Sequence, residues 1–226
     1  MKQKNRRRVF CLGLHKTGTT SLKYALESVG YQVADYFGEH DPEIRKHALP
    51  EALIQMVNHD AAQDDPWWML YQELDEEFPG SQFILLTREK TEWFNSCLKY
   101  FGGSGINHVR EWFYGDGLSI PSEDNREHWI ERHCEFEEKV RNYFAERDDD
   151  FIELAVCHGE GWDKLAPFLG LKGVKGAFPK ANTSASAQYA ILHDNLYQDY
   201  LEARGLRKLW LRIRRKYLRH LRNRTE

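Results

Sequence analysis

Apolar residues along this chain fall into two kinds of run. Short, nearly unbroken ones occur at Val9–Leu14, Tyr31–Ala34, Phe83–Thr87 and Phe151–Val156, the pattern of strands buried on both faces of a parallel sheet. Between them the apolar positions spread out to helical spacing. Leu22, Ala25, Leu26 and Val29 predict a helix over Ser21–Val29, and Trp68, Leu70, Tyr71 and Leu74 predict one from Pro66 to Glu77, closed by Pro79-Gly80. Asp41-Pro42 reads as an N-cap with proline at the first helical position, leading a helix to about Val57. Glu89–Phe101, Glu123–Arg147 and Trp162–Leu169 complete the helices, the last stopped by Gly170. Residues 102–122, rich in Gly, Ser and Pro, predict a mobile loop. Residues 172–186 form another loop, and the remainder is helical. Strand and helix alternate without an internal repeat, so the expected class is α/β: a three-layer α/β/α sandwich around a central, mostly parallel sheet.

Composition narrows what such a fold does here. The chain has 226 residues, 41% hydrophobic and 13% aromatic, enough for one sizeable core and too aromatic for disorder over most of its length. The net charge of −3 conceals a division: residues 204–226 carry ten of the 32 Lys+Arg and a single acid, Glu226. The tail is therefore about +9 and the body, 1–203, about −12. That excludes a globally basic nucleic-acid binder and divides the chain into a domain at 1–203 and a basic segment at 204–226. Within the segment, Leu206, Leu209, Trp210, Ile213, Tyr217, Leu218 and Leu221 recur at helical spacing with arginines between them, an amphipathic helix. Docking on the acidic body is expected; contact with an anionic membrane surface or an oligomer partner through 206–223 is the alternative. Cys11, Cys97, Cys134 and Cys157 are widely spaced, with neither a disulfide framework nor a zinc spacing. No run suits a bilayer span or a cleaved leader. A soluble, cytoplasmic protein is expected.

The candidate chemistry begins at Gly13-Leu14-His15-Lys16-Thr17-Gly18-Thr19-Thr20, between the first strand and the first helix. Backbone N–H groups of such a turn, with the N-terminus of the next helix, bind anionic oxygens. The nucleotide-triphosphatase pattern GxxxxGK[ST] would put lysine at position 19; here that residue is threonine and the lysine stands at 16. The clearest strand ends in Arg88, with no acid to hold magnesium. A metal-dependent kinase or NTPase is disfavoured, and no metal ligand set is expected.

A KTGTT turn with an early lysine resembles the 5′-phosphosulfate loop of sulfotransferases, which use 3′-phosphoadenosine 5′-phosphosulfate (PAPS) and share the P-loop NTPase-like architecture. Those enzymes carry an arginine at the end of a central strand and a serine eight residues on. Arg88, after FILLT, and Ser96 match that spacing. The late segment Phe178-Pro179-Lys180-Ala181-Asn182-Thr183-Ser184 resembles the loop that closes over the nucleotide in bacterial and Golgi-type members, and FIELAVCHGEGWDKLAPFLG resembles the strand and helix before it. The resemblance spans roughly residues 8–185 and sits nearest the bacterial branch.

It implies roles residue by residue. Lys16 holds the bridging and 5′-phosphate oxygens, with His15, Thr17, Gly18, Thr19 and Thr20 around them. Arg88 and Ser96 take the 3′-phosphate, and Lys180, Asn182 and Ser184 close over the nucleotide. The product would be adenosine 3′,5′-bisphosphate. The base that accepts the acceptor's proton is expected in Asn58–Pro66. Cytosolic members place a histidine two residues before a proline, and Asp64 stands there in this chain, beside a second carboxylate that raises its pKa. His59 and His15 are the other candidates. Trp67, Trp68, Trp93, Trp112, Phe113, Tyr114 and Trp129 are expected in or beside the acceptor cleft, with 102–122 as its lid. The acceptor itself, a small molecule, glycan or lipid, stays open. Two other readings remain: a P-loop nucleotide kinase, and a non-catalytic nucleotide-binding scaffold.

Overall fold

The structure, a computed structural model, describes residues 6–181. Five strands, β1 (Val9–Cys11), β2 (Val33–Ala34), β3 (Ala61–Ala62), β4 (Gln82–Leu86) and β5 (Phe151–Leu154), form one sheet in the order β2-β3-β1-β4-β5, and every pairing is parallel. The helices are α1 (Thr19–Ser28), α2 (Ile44–Gln55), α3 (Tyr71–Glu77), α4 (Lys90–Phe101), α5 (His108–Tyr114), α6 (Arg126–Tyr143) and α7 (Trp162–Phe168).

The continuous apolar runs explain the layering. Alternate residues of a strand point to opposite faces. Phe10, Phe83 and Leu85 therefore join one core, with Ala48 and Ala52 of α2, Trp93 and Phe94 of α4, Val109 of α5 and Trp129, Phe136 and Val140 of α6. Val9, Cys11, Ile84 and Leu86 join the other, against Leu22, Ala25 and Leu26 of α1 and Leu165 of α7. The expected sandwich is present, with a sheet that is wholly parallel among the described residues.

Three local expectations need correcting. The loop at 102–122 contains α5, whose start is capped by the Asn107 side chain accepting from Arg110 N at 2.9 Å. The second helix begins at Ile44 behind Glu43; Asp41 instead accepts from Glu43 N at 2.9 Å in a local turn. Strand β3 gives no signal in the sequence, because its two alanines lie between Asp60 and Gln63 and make no apolar run. It is nonetheless fully buried and pairs with both β1 and β2. The paired helices also start less regularly than expected: Trp67–Leu70 is a 3-10 turn ahead of α3, and Glu123–Asn125 another ahead of α6.

Because all strands run the same way, the segments following β1, β2, β3 and β4 emerge along one edge of the sheet, where α/β folds build their sites. Residues 12–18, 35–36, 63–66 and 87–89 meet there. No helix among the described residues is long and apolar enough to cross a membrane.

Candidate active site

Leaving β1, the chain stays tied to β4 for one more residue, Leu12 N donating to Ile84 O at 2.8 Å, and then turns. Gly13 is required by close packing: a Cβ there would lie 2.7 Å from both Leu86 Cβ and Thr17 Oγ1. Thr17 closes the turn with its amide and hydroxyl, which donate to Leu14 O at 3.3 and 2.5 Å. Lys16 and Gly18 have φ of 65° and 107°. The left-handed geometry suits glycine at 18 and is uncommon for lysine at 16, and such strain concentrates at functional sites. Gly18 leads directly into α1, whose N-terminus has no side-chain cap, leaving its first amides for an anion.

Arg88 follows β4 and reaches across to this turn, its Nη1 donating to Lys16 O at 2.9 Å. Its Nε is buried without a hydrogen-bond partner, 3.9 Å from Glu92 Oε2. A guanidinium already anchored at one nitrogen and unsatisfied at another suits an anionic oxygen. Ser96 lies two turns into α4, partly buried. The same helix supplies Trp93, whose Nε1 donates to His15 O at 2.9 Å, and Tyr100, whose ring lies 3.9 Å from Lys16 Nζ. Partial burial lowers the Lys16 pKa, opposed by the nearby Cys97 and Asp64. On the opposite side the Cys157 thiol donates to Thr17 O at 3.5 Å.

Strand β3 delivers two adjacent carboxylates to the same edge. Asp64, at φ 71°, accepts from Asp65 N at 3.0 Å and from Thr19 Oγ1 at 3.2 Å. Asp65 accepts from Trp68 Nε1 at 2.8 Å and faces His15 Nδ1 at 3.7 Å. The two carboxyls are pushed apart in acidity. Burial, then the Asp65 and Asp35 charges, raise Asp64 to about 8. Burial works against Asp65 too, but the His15 and Trp68 contacts outweigh it and hold that carboxyl below its usual range. Asp64 is thus the member of the pair that holds a proton more readily, and Asp65 the member that ionises first.

Lys16, Thr17, Gly18, Thr19, Thr20, Arg88 and Asp64 therefore gather around one turn, with Ser96 on the adjoining helix. His15 belongs to that turn by sequence, but its ring points inward. It is 4% exposed, packed by Phe101, Trp93, Trp129 and Tyr114 with centroids 5.2–6.1 Å away, and its Nε2 meets Tyr114 Oη at 2.9 Å. His59 precedes β3 and so sits at the other edge of the sheet, where its Nδ1 contacts Gln55 O at 2.7 Å; it is removed from Asp64 and the turn.

The aromatics expected beside the acceptor are core residues. Trp67, Trp68, Trp93, Phe113, Tyr114 and Trp129 are buried, and Trp112 is half-buried against the same cluster. Lys180 is exposed, and the late loop arrives at α1, where Ala181 N donates to Ser21 Oγ at 3.0 Å. Asn182, Ser184 and the basic segment at 204–226 lie outside the described residues.

Asp65, Tyr100, Tyr114 and Cys157 were not singled out from sequence as contacts of the turn. Asp65 had a visible signal, standing immediately before Pro66; the others reach the turn only through packing of α4, α5 and the segment after β5.

A family model described as a sulfotransferase domain matches residues 8–114 and 103–187, together well over half of the chain. No curated protein matches it.

Proposed function

The chain belongs to the sulfotransferase domain family, and on that premise we propose that it transfers a sulfuryl group from PAPS to a hydroxyl, or an amine, of a small-molecule, glycan or lipid acceptor. The observation that carries this reading is the meeting of Lys16, Arg88 and Asp64 around one turn: Arg88 bonds the Lys16 carbonyl, and Asp64 bonds Thr19 three residues on. A cation, an anion cradle and a proton acceptor are thus built onto one piece of backbone.

The donor fits what the turn leaves unsatisfied. The uncapped amides of α1 and the left-handed Lys16 and Gly18 suit the 5′-phosphate, and the orphaned Arg88 Nε suits the 3′-phosphate, with Ser96 of α4 as the second ligand that the family resemblance implies. PAPS supplies the sulfuryl group and leaves as adenosine 3′,5′-bisphosphate. Lys16 places a positive charge where the leaving oxygen gains a negative one. Asp64 takes the acceptor's proton as the new S–O bond forms, its carboxyl held at about 8, close to working pH. The loop of Lys180 reaches α1 through the Ala181 amide and would close over the nucleotide. Residue 19, where a nucleotide triphosphatase has lysine, is a threonine whose hydroxyl donates to Asp64, which sets this turn apart from the metal-dependent pattern; an in-line transfer without a metal is what the family resemblance implies. Cys11, Cys97, Cys134 and Cys157 are free thiols, which suits the cytoplasm.

The test is binding followed by transfer. The full chain should bind adenosine 3′,5′-bisphosphate more tightly than ATP, with or without magnesium, and should label one member of a hydroxyl- and amine-acceptor panel from labelled PAPS. Magnesium-dependent ATP binding in preference to the bisphosphate would overturn the reading in favour of a kinase. Tight bisphosphate binding without transfer to any acceptor would favour the scaffold.

A further inference from the structure

Directly beneath the turn lies a polar chain that the transfer chemistry has not used. Tyr114 Oη, at the end of α5, meets His15 Nε2 at 2.9 Å, and His15 Nδ1 faces Asp65 Oδ1 at 3.7 Å. Asp65 N in turn donates to Asp64 Oδ1 at 3.0 Å. With the Tyr114 hydroxyl donating to Nε2, the proton of the neutral imidazole belongs on Nδ1, aimed at Asp65. That Nδ1 is buried and makes no hydrogen bond, with Asp65 Oδ1 standing at 3.7 Å. Four aromatic rings enclose the imidazole, so little water screens the His15 dipole from the Asp65 carboxylate.

We propose that His15, braced by Tyr114 and turned toward Asp65, is a positioning residue that favours the ionised form of Asp65 and so leaves Asp64 as the carboxyl of the pair that exchanges a proton. The inference rests on Asp64 being the proton acceptor of the transfer. It gives the histidine in the phosphate turn a role on the side away from phosphate, and links donor-binding backbone to the acid–base group.

The charged and titratable neighbours are consistent with this assignment. Asp35 after β2 faces Asp64, as do Cys11 at the end of β1 and Lys16 of the turn, with Thr19 bonded to it. Asp65 is faced by Arg110 and Tyr114 from α5, Cys97 from α4 and Trp68 from the 3-10 turn. His15 also faces Arg110, Lys16 and, from α6, His133. Burial and the two cations lower the His15 pKa, so the ring stays neutral and acts as a fixed dipole. Asp35 is itself bonded by Lys23 and by Gln63 Nε2, and the Asp65 charge acts on Asp64 more strongly than the Asp35 charge does.

The experiment is a carboxyl-carbon NMR titration of the full chain labelled at aspartate, which needs no turnover. In the unaltered protein the Asp64 carbon should titrate near 8 while Asp65 stays ionised through neutral pH. In His15→Phe the Asp65 midpoint should rise by about one unit or more, and both carbons should show two-step curves as the proton is shared. His15→Asn, which keeps a donor at the δ position, should restore most of the separation. Tyr114→Phe, which deletes one oxygen, should move Asp65 in the same direction by less, and carries the test if His15→Phe does not fold. Affinity for adenosine 3′,5′-bisphosphate should stay within about twofold in all three. An unmoved Asp65 midpoint in folded His15→Phe or Tyr114→Phe would overturn the proposal. So would a tenfold loss of bisphosphate affinity with unchanged titrations, which would make His15 a phosphate ligand. Failure of PAPS transfer with these titrations as expected would count against the function and leave the coupling standing.

Discussion

The two halves of the candidate site are built by different means. The phosphate half, Gly13–Thr20 with Arg88, is set by local chain: a strand end, two glycines, a tight turn and a helix start within eight residues, plus one arginine from the neighbouring strand. The acid–base half, Asp64 and Asp65, is set by distant contacts. Its supports are His15 and Thr19 from the turn, Trp68 from the next segment and Tyr114 from α5, and its acidity depends on burial that only the assembled fold supplies. A local device tolerates change around it and fails when its own residues change; a tertiary device is sensitive to what packs against it.

Three substitutions separate the halves. The largest effect is expected at Lys16→Ala, which removes the cation proposed to face the leaving oxygen. Transfer from labelled PAPS should fall by about a thousandfold or more, with melting temperature nearly unchanged, since the side chain is only half-buried and its one aromatic contact is to exposed Tyr100. Asp64→Asn comes next, with kcat lower by about a hundredfold and bisphosphate affinity retained. Its stability signature is opposite in sign to a typical site mutation. A carboxyl raised to about 8 in the folded chain contributes stability while protonated. That contribution declines as pH rises above the unfolded value of about 4 and is gone above 8. Asn carries no such charge, so the variant should melt a few degrees higher at pH 9 and gain little at pH 5. Arg88→Ala is smaller again. Loss of a charge-assisted contact of about 1.5–3 kcal/mol weakens bisphosphate binding by about ten- to a hundredfold, read by calorimetry. An Arg88 effect on kcat alone, with affinity intact, would erase the division of labour.

The same contrast decides what was legible in the sequence. The turn and Arg88 could be read because spacing and residue type are all they need, and the strands around them because β1 and β4 are continuous apolar runs buried on both faces. β3 was not legible, since two alanines between polar residues give no periodic signal and acquire strand geometry only by pairing with β1 and β2. α5 hid in a stretch rich in Gly, Ser and Pro for a related reason: its seven residues hold together through the Asn107 cap and burial of Val109, Phe113 and Tyr114, not through length. Asp64 is pointed to by the family resemblance, which sets a base two residues before a proline. What shifts its acidity could not be read, because the packing that buries it beside Asp65 joins segments up to a hundred residues apart.

The smallest expected effect is also the most direct readout of the tertiary half. If Asp64 must be ionised to take the acceptor's proton, kcat/KM follows the ionised fraction of a carboxyl with a midpoint near 8. The rate then rises about tenfold between pH 7 and 9, instead of staying flat as it would for an ordinary carboxylate fully ionised above pH 6. Lys16 sets the other limb. Its lowered pKa means that the activating charge is lost below the pH at which a free lysine titrates, so the profile turns down on the alkaline side. The result is a bell displaced toward alkaline pH, its acid limb belonging to the carboxylate pair and its alkaline limb to the phosphate turn. A profile flat from pH 6 to 8 would mean that Asp64 is not the group that titrates. An acid limb that stays put in Lys16→Arg while the alkaline limb moves outward would assign each limb to its own half of the site.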